Sequence, residues 1–357
     1  MIRGFTTLVF IIFINISNGQ TTAHFADSIR IKYKIPELAY AVISSDSIIE
    51  LNVLGVHKVN TKFKAQINDR FRIGSNTKTV TSYIAALMVK QGKIKWDTKF
   101  FDLYPELKQK SNTAYYDYTL QDFITFRANL MSWTYTYDTP TKKEIKGDEQ
   151  NQRYEFVSWV LQQSPDTTTK IMYWSNPSYV AAGLMLEKVS GKDYKILVGE
   201  LGNELNITFG FGQPNSFNKN EPWGHDENLN PEKPSQNYKL NWLSSAGNIN
   251  VSLPDYCKFI QLQINGLNGR SKLFSAEEFN YFHFGLPKFS YGWQTYLDEA
   301  TNLKYSYHKG NPGTFLSKVL ICKETNRAFI FFTNVQSEDA ENGLTILFNE
   351  LSNKYYK

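Results

Sequence analysis

Cysteine and histidine are scarce in this chain: its 357 residues include two Cys and five His. Cys257 and Cys322 fall in a predicted helix and a predicted strand. No CxxC pair and no clustered His/Cys spacing suggests zinc, so neither a metal nor a cofactor is expected. Two buried free thiols are the expectation, although an exported chain has the option of pairing them. Charge of one sign is also in short supply. Thirty-nine Lys and Arg stand against 34 Asp and Glu, a net charge of +5, with no basic run of the kind that follows a nucleic-acid backbone. Nucleic acid is therefore excluded as a partner. Long apolar runs are missing as well. Leu8 to Ile16 is apolar apart from Asn15, which is too short to span a bilayer comfortably. Preceded by Arg3 and followed by Ser17 and Gly19, it reads as an export signal over residues 1–19, cleaved after Gly19. A periplasmic or secreted protein of residues 20–357 follows, with no stable membrane span after cleavage. No cysteine comes after the apolar stretch, so a lipid anchor is not expected.

Apolar and aromatic residues are plentiful. Hydrophobic residues make up 41% of the chain, with 25 Phe, 22 Tyr and 7 Trp, ample for one large core. An amphipathic helix is predicted over 22–34, then strands over 38–44 and 48–55 joined by Ser45-Asp46-Ser47. Helical periodicity marks 79–91, 152–163, 179–189 and 254–266, and the Gly-, Pro- and Asn-rich stretch 206–239 reads as irregular loop. Strands return at 290–297, 305–309, 316–322 and 328–334, before a last helix at 339–351. Strands at both chain ends predict one antiparallel sheet built from about 20–80 and 285–357. A mostly helical region, about 81–284, is inserted, with a cleft where the two meet.

Ser75 and Lys78 lie at the first crossing between these regions. Val80, Ile84, Leu87 and Met88 form the apolar stripe of the helix that follows, and Gly92 stops it. Ser75 thus stands near a helix N-terminus, where unpaired N–H groups and the positive dipole end favour developing negative charge. Lys78 projects from the same face and reaches the hydroxyl. A serine nucleophile needs both a proton acceptor and a stabilising field. By itself the spacing is explained more simply by a capping Ser beside a solvated Lys.

The run Phe71-Arg72-Ile73-Gly74-Ser75-Asn76-Thr77-Lys78 resembles the F-R-I-G-S-x-T-K of the serine β-lactamase-like hydrolase family. That family includes class C β-lactamases, D-Ala-D-Ala carboxypeptidases, D-aminopeptidases and related esterases. Gly92 to Asp97 and Tyr104 to Leu107 are similar to its continuation. His308-Lys309-Gly310, ahead of Pro312-Gly313-Thr314-Phe315, is similar to its H-x-G strand, and Ile330 to Asn334 to the strand that follows. The resemblance covers nearly all of the chain after the leader. It implies a β-lactamase/transpeptidase-like α/β (α+β) fold, with Ser75 as nucleophile and Lys78 as general base. The N–H groups of Ser75 and Asn311 would form an oxyanion hole, and His308 and Gly310 would lie on the substrate-binding strand. His308 either binds a substrate carboxylate or satisfies a core hydrogen bond, while Lys309 points to the other side. A small-molecule or peptide substrate and a monomer are expected.

Two segments depart from the family. Trp174-Ser175-Asn176 stands where it has Y-x-N, and Tyr179, Gly183 and Glu187 fix that alignment. Trp174 therefore occupies the position of the family's catalytic Tyr, yet an indole N–H only donates and cannot act as a base. Tyr173 substitutes only if the register slips by one residue. Asn176 either contacts substrate and holds Lys78, or caps the helix ahead of Pro177. At 120–130, Phe126, Ala128 and Asn129 replace His, Ser and Gly, and Asn129 suits a left-handed turn. His225, in Pro222-Trp223-Gly224-His225, reads as structural. Trp174, with Trp133, Tyr135 or Tyr137 near the cleft mouth, would suit an apolar acyl group. Two functions remain. One is an exported hydrolase acting through an acyl-enzyme on an ester, a D-amino-acid peptide or a β-lactam-like amide. The other is a catalytically impaired protein of the same fold that binds a peptide or cell-wall ligand.

Overall fold

The computed structural model describes residues 17–166, 171–216, 218–234 and 237–356, with side chains from residue 22 onward. The predicted export leader lies outside the described residues except for 17–19, which open the helix Ser17–Lys32. Strands β1 (Glu37–Ile43) and β2 (Ile48–Gly55) follow it. Short β3 (Arg70–Arg72), β4 (Gly210–Phe211) and β5 (Ile249–Ser252) come next, then β6 (Gln294–Asp298), β7 (Leu303–Gly310), β8 (Leu316–Cys322) and β9 (Arg327–Thr333).

One six-stranded sheet takes the order β2-β1-β9-β8-β7-β6, antiparallel throughout. The sequence Glu-Leu-Ala-Tyr-Ala-Val-Ile of β1 is buried at every position because both of its faces are covered. Period two divides its side chains. Leu38, Tyr40 and Val42 join Phe329, Phe331, Leu344 and Leu347 under the terminal helices Ser17–Lys32 and Glu338–Tyr355. Ala39, Ala41 and Ile43 join Ile330 and Phe332 on the other face, continuous with the core of the helical region. This register also separates the thiols. Cys257 belongs to the core on one face of the sheet and Cys322 to the core on the other, and both are free.

The inserted region holds the predicted helices as Glu149–Leu161, Asn176–Ser190 and Leu253–Leu267. Gly191, at φ 68°, ends the second in the left-handed conformation. Two further helices, Tyr194–Leu205 and Ala276–Phe284, went unread in the sequence. The second carried a legible signal, the capping box of Ser275 and Glu278. Strands β3, β5 and β4 form a separate three-stranded sheet, in that order. At two to four residues each, they are too short for periodicity to show. No helix among the described residues is long and apolar enough to cross a membrane.

Candidate active site

Ser75 sits in a single 3-10 turn, Gly74–Asn76, that feeds the helix Thr77–Lys90. The helix therefore begins two residues earlier than its apolar stripe suggests, since Thr77 and Lys78 are polar: Thr77 accepts from the Ile249 N–H and Lys78 turns to Ser75. The turn is pressed against the end of β7. A Cβ on Gly74, whose φ is +50°, would stand 2.7 Å from the amide nitrogen of Asn311. A Cβ on Gly310 would stand 1.9 Å from the carbonyl oxygen of Ile73. Gly310 thus permits the close approach of strand and turn, a packing role that accounts for its position without substrate contact. Ser317 on β8 locks the turn further. Its hydroxyl accepts from Asn76 Nδ2 at 2.7 Å and donates to the Ile73 carbonyl at 2.7 Å. In consequence the backbone of the turn at Gly74 meets that of Asn311 at the end of the strand.

Lys78 is buried, and its ammonium nitrogen is held at three points. Nζ lies 2.9 Å from Ser75 Oγ, 2.9 Å from Asn176 Oδ1 and 2.7 Å from the Ala246 carbonyl. No carboxylate among the described residues is bonded to it, and burial pushes its pKa down to about 7. A neutral amine within hydrogen-bond reach of a serine hydroxyl can accept its proton. The third contact escaped the sequence reading: a backbone carbonyl carries no residue signature, and Ala246 comes from a distant short helix, Ser244–Gly247. Gly183 lets that helix approach, because a Cβ there would meet Ser245 Oγ at 2.4 Å.

Asn176 is the first residue of its helix, and Ser175 is the cap, accepting from the Ser178 N–H. Capping therefore leaves the Asn176 side chain free to bridge Lys78 and, through Nδ2, the Trp133 carbonyl at 3.0 Å. The register is unslipped. Tyr173 is engaged with Asp166, which together with burial raises its phenol pKa. Trp174 is 46% exposed and makes no hydrogen bond to Ser75 or Lys78. Its ring packs instead on Phe126 at 5.0 Å and Phe289 at 5.2 Å, and Phe126 and Phe289 stand 4.5 Å apart. The two departures from the family pattern, Phe126 and Trp174, are thus in mutual contact. Asn129 has φ 49°, the left-handed turn its identity suggested, and Phe126 shares that region at φ 60°. The nearby Tyr179 hydroxyl is already committed, donating to the Ile124 carbonyl at 2.7 Å and touching Ser82 Oγ at 3.0 Å.

His308 is buried on β7 with Nδ1 2.6 Å from the Gly292 carbonyl. Burial, aided by the Lys78 charge, lowers its pKa to about 3. The ring is therefore neutral near neutral pH, and with its proton on Nδ1 donated to that carbonyl Nε2 is left as an acceptor. In that state His308 offers a neutral imidazole, not a cation, to a substrate carboxylate. Lys309 points to the other side and pairs with Glu341 at 2.9 Å. His225 is buried, with Nδ1 2.8 Å from the Asn334 carbonyl, as a structural residue would be. Trp133 is a core residue rather than part of the cleft mouth. Its ring stacks among Phe156 and Trp242, and its indole N–H donates to the Thr139 carbonyl. Tyr135 does reach the strand end, since a Cβ on Gly313 would collide with its hydroxyl. Tyr137 is exposed.

A lysine-bearing serine turn wedged between an inserted helical region and the end of an antiparallel sheet defines the β-lactamase/transpeptidase-like class of fold. The chain belongs to the beta-lactamase family, whose sequence profile matches residues 19–350. Protein flp of Staphylococcus aureus (strain N315) is 22% identical over 323 residues, covering 86% of this chain and 61% of that protein. The chain therefore spans about three-fifths of the length of the curated relatives it matches. The octameric penicillin-binding protein homologue from Pyrococcus abyssi superposes with a TM-score of 0.72 at 17% identity, over 93% of this chain and 78% of its own. A class C beta lactamase from Rhodobacter sphaeroides gives 0.73 at 15% identity, over 93% and 99%. At such identities the structural likeness speaks for the fold alone.

Proposed function

We infer that the protein is a serine hydrolase that works through an acyl-enzyme. Ser75 Oγ attacks the substrate carbonyl carbon and passes its proton to the neutral Lys78 amine. The amides of Ser75 and Asn311 hold the oxyanion, and Lys78 returns the proton to the leaving group. Water then releases the acyl group, with Lys78 again taking a proton. The observation that carries this reading is a buried lysine, shifted to about 7, at 2.9 Å from Ser75 Oγ. Asn176 is a positioning residue for that amine.

The substrate is an ester, a D-amino-acid peptide or a β-lactam-like amide. The shelf of Phe126, Trp174 and Phe289 favours an apolar acyl group, and a neutral His308 favours a scissile bond without a free carboxylate beside it. Residues 1–19 support export, to be tested by whether the mature chain starts at Gln20. A monomer is expected, measurable by light scattering; the octameric homologue shows that this fold also tolerates assembly.

One observation favours the second reading, a ligand-binding protein without turnover. No hydroxyl stands at the family's tyrosine position, and the removal of a positioned proton donor costs on the order of 10²–10⁴ in rate. Incubation with a fluorophosphonate and with a labelled penicillin, followed by peptide mapping, separates the two. An adduct on Ser75 is the expected result. No adduct in the wild type, with one appearing in Trp174→Tyr, overturns the active-enzyme reading.

A further inference from the structure

Glu37, His57 and Asp69 form a buried cluster with no part in the hydrolase site. Glu37 opens β1, His57 follows β2, and Asp69 immediately precedes β3. Each offers a ligand atom, and these atoms all lie within 4.8 Å of one another. His57 Nε2 is 2.7 Å from Asp69 Oδ2. Glu37 is fully buried, and neither of its carboxylate oxygens has a hydrogen-bond partner among the described residues. The groups that bear on it, Asp69 (carboxyl against carboxyl) and Glu221, are both acidic, and with burial they raise its pKa. Asp69 Oδ2 accepts from the Gln66 N–H and lies against His57 Nε2, but no donor stands between it and Glu37, so the two carboxylates require either a shared proton or a cation. One shared proton would satisfy a single oxygen of Glu37. A divalent cation would satisfy both carboxylates and use the imidazole lying beside them.

We propose that Glu37, His57 and Asp69 bind one divalent cation of the Zn²⁺ type, which clamps the segment between β2 and β3 to the start of β1. One imidazole with two carboxylates is a donor set that suits Zn²⁺, whereas Ca²⁺ requires six to eight oxygens. The clamp bears on the hydrolase site from a distance. Asp69 leads directly through β3 into Ile73 and the Ser75 turn, so fixing Asp69 fixes the entry to that turn.

The test uses the full chain, stripped with a chelator and dialysed, then titrated calorimetrically with ZnCl₂. Elemental analysis and a melting curve with and without zinc accompany it. The expected result is one Zn²⁺ per chain, a melting temperature raised by several degrees, and no comparable response to CaCl₂. Binding should be lost in Glu37→Gln and in His57→Gln, each first checked for native circular dichroism. Absence of heat and of any melting shift in the wild type overturns the proposal, and leaves Glu37 sharing a proton with Asp69. Zinc bound by Glu37→Gln as tightly as by the wild type overturns it equally. The wild-type measurements stand even if a variant fails to fold, and none of the readouts depends on hydrolase activity.

Discussion

If Lys78 is the base that activates Ser75, acylation must follow its deprotonation. Burial without a neighbouring carboxylate brings the amine from its usual 10.5 to about 7. The sign is definite: only the neutral amine accepts a proton, so reactivity rises with pH. With a midpoint near 7, about one tenth of Lys78 is neutral at pH 6 and about nine tenths at pH 8. The second-order rate of Ser75 labelling by a fluorophosphonate should therefore rise roughly tenfold between pH 6 and 8, then level off. Below pH 6 it should fall about tenfold per unit. The perturbation that isolates this effect is Lys78→Arg, which keeps a cation that never deprotonates in this range. It should lower the rate at pH 8 by on the order of 10²-fold or more and abolish the rise. Single-exponential labelling kinetics at six or more pH values provide the assay, with mass spectrometry fixing the site. A profile flat from pH 5.5 to 9 refutes the reasoning, as does a midpoint near 10.

Other outcomes follow from the same geometry. Gly310→Ala forces a Cβ to within 1.9 Å of the Ile73 carbonyl; overpacking of this kind costs about 1–3 kcal/mol. Thermal melting should drop and Ser75 labelling should slow together, and a variant unchanged in both would contradict the close packing described. Arg153 is buried against Glu187, and 2.8 Å from Asp193. Arg153→Met should lower stability by about 3–5 kcal/mol, because Glu187 keeps a buried, uncompensated charge. Urea unfolding measures this, and the double variant with Glu187→Leu should recover most of the loss. His308, with its pKa lowered to about 3, stays neutral throughout the working range. Its imidazole nitrogen shifts should not change between pH 5 and 8, and a titration centred near 6.5 would show that it can carry charge.

Much of this protein was written in local pattern. Short apolar runs at 38–44 and 328–334 named the strands, and Gly191 closed one helix. Ser75, Lys78 and Asn176 were legible because motif spacing survives in the chain itself, and so was the loss of the tyrosine at Trp174. Three things were settled only in space. Ala246 holds Lys78 by a backbone carbonyl that any residue could supply. His308 is neutral because burial and the Lys78 charge act on it, and neither is visible in a triplet of letters. Phe126 and Trp174 are nearly fifty positions apart, yet their rings pack at 5.0 Å, so two separate departures become one aromatic shelf. Sequence determines spacing along the chain, which is enough to mark a candidate nucleophile and base. Solvent exclusion and contacts between distant segments set protonation and cleft shape, and those exist only once the sheet and the inserted helices close on each other.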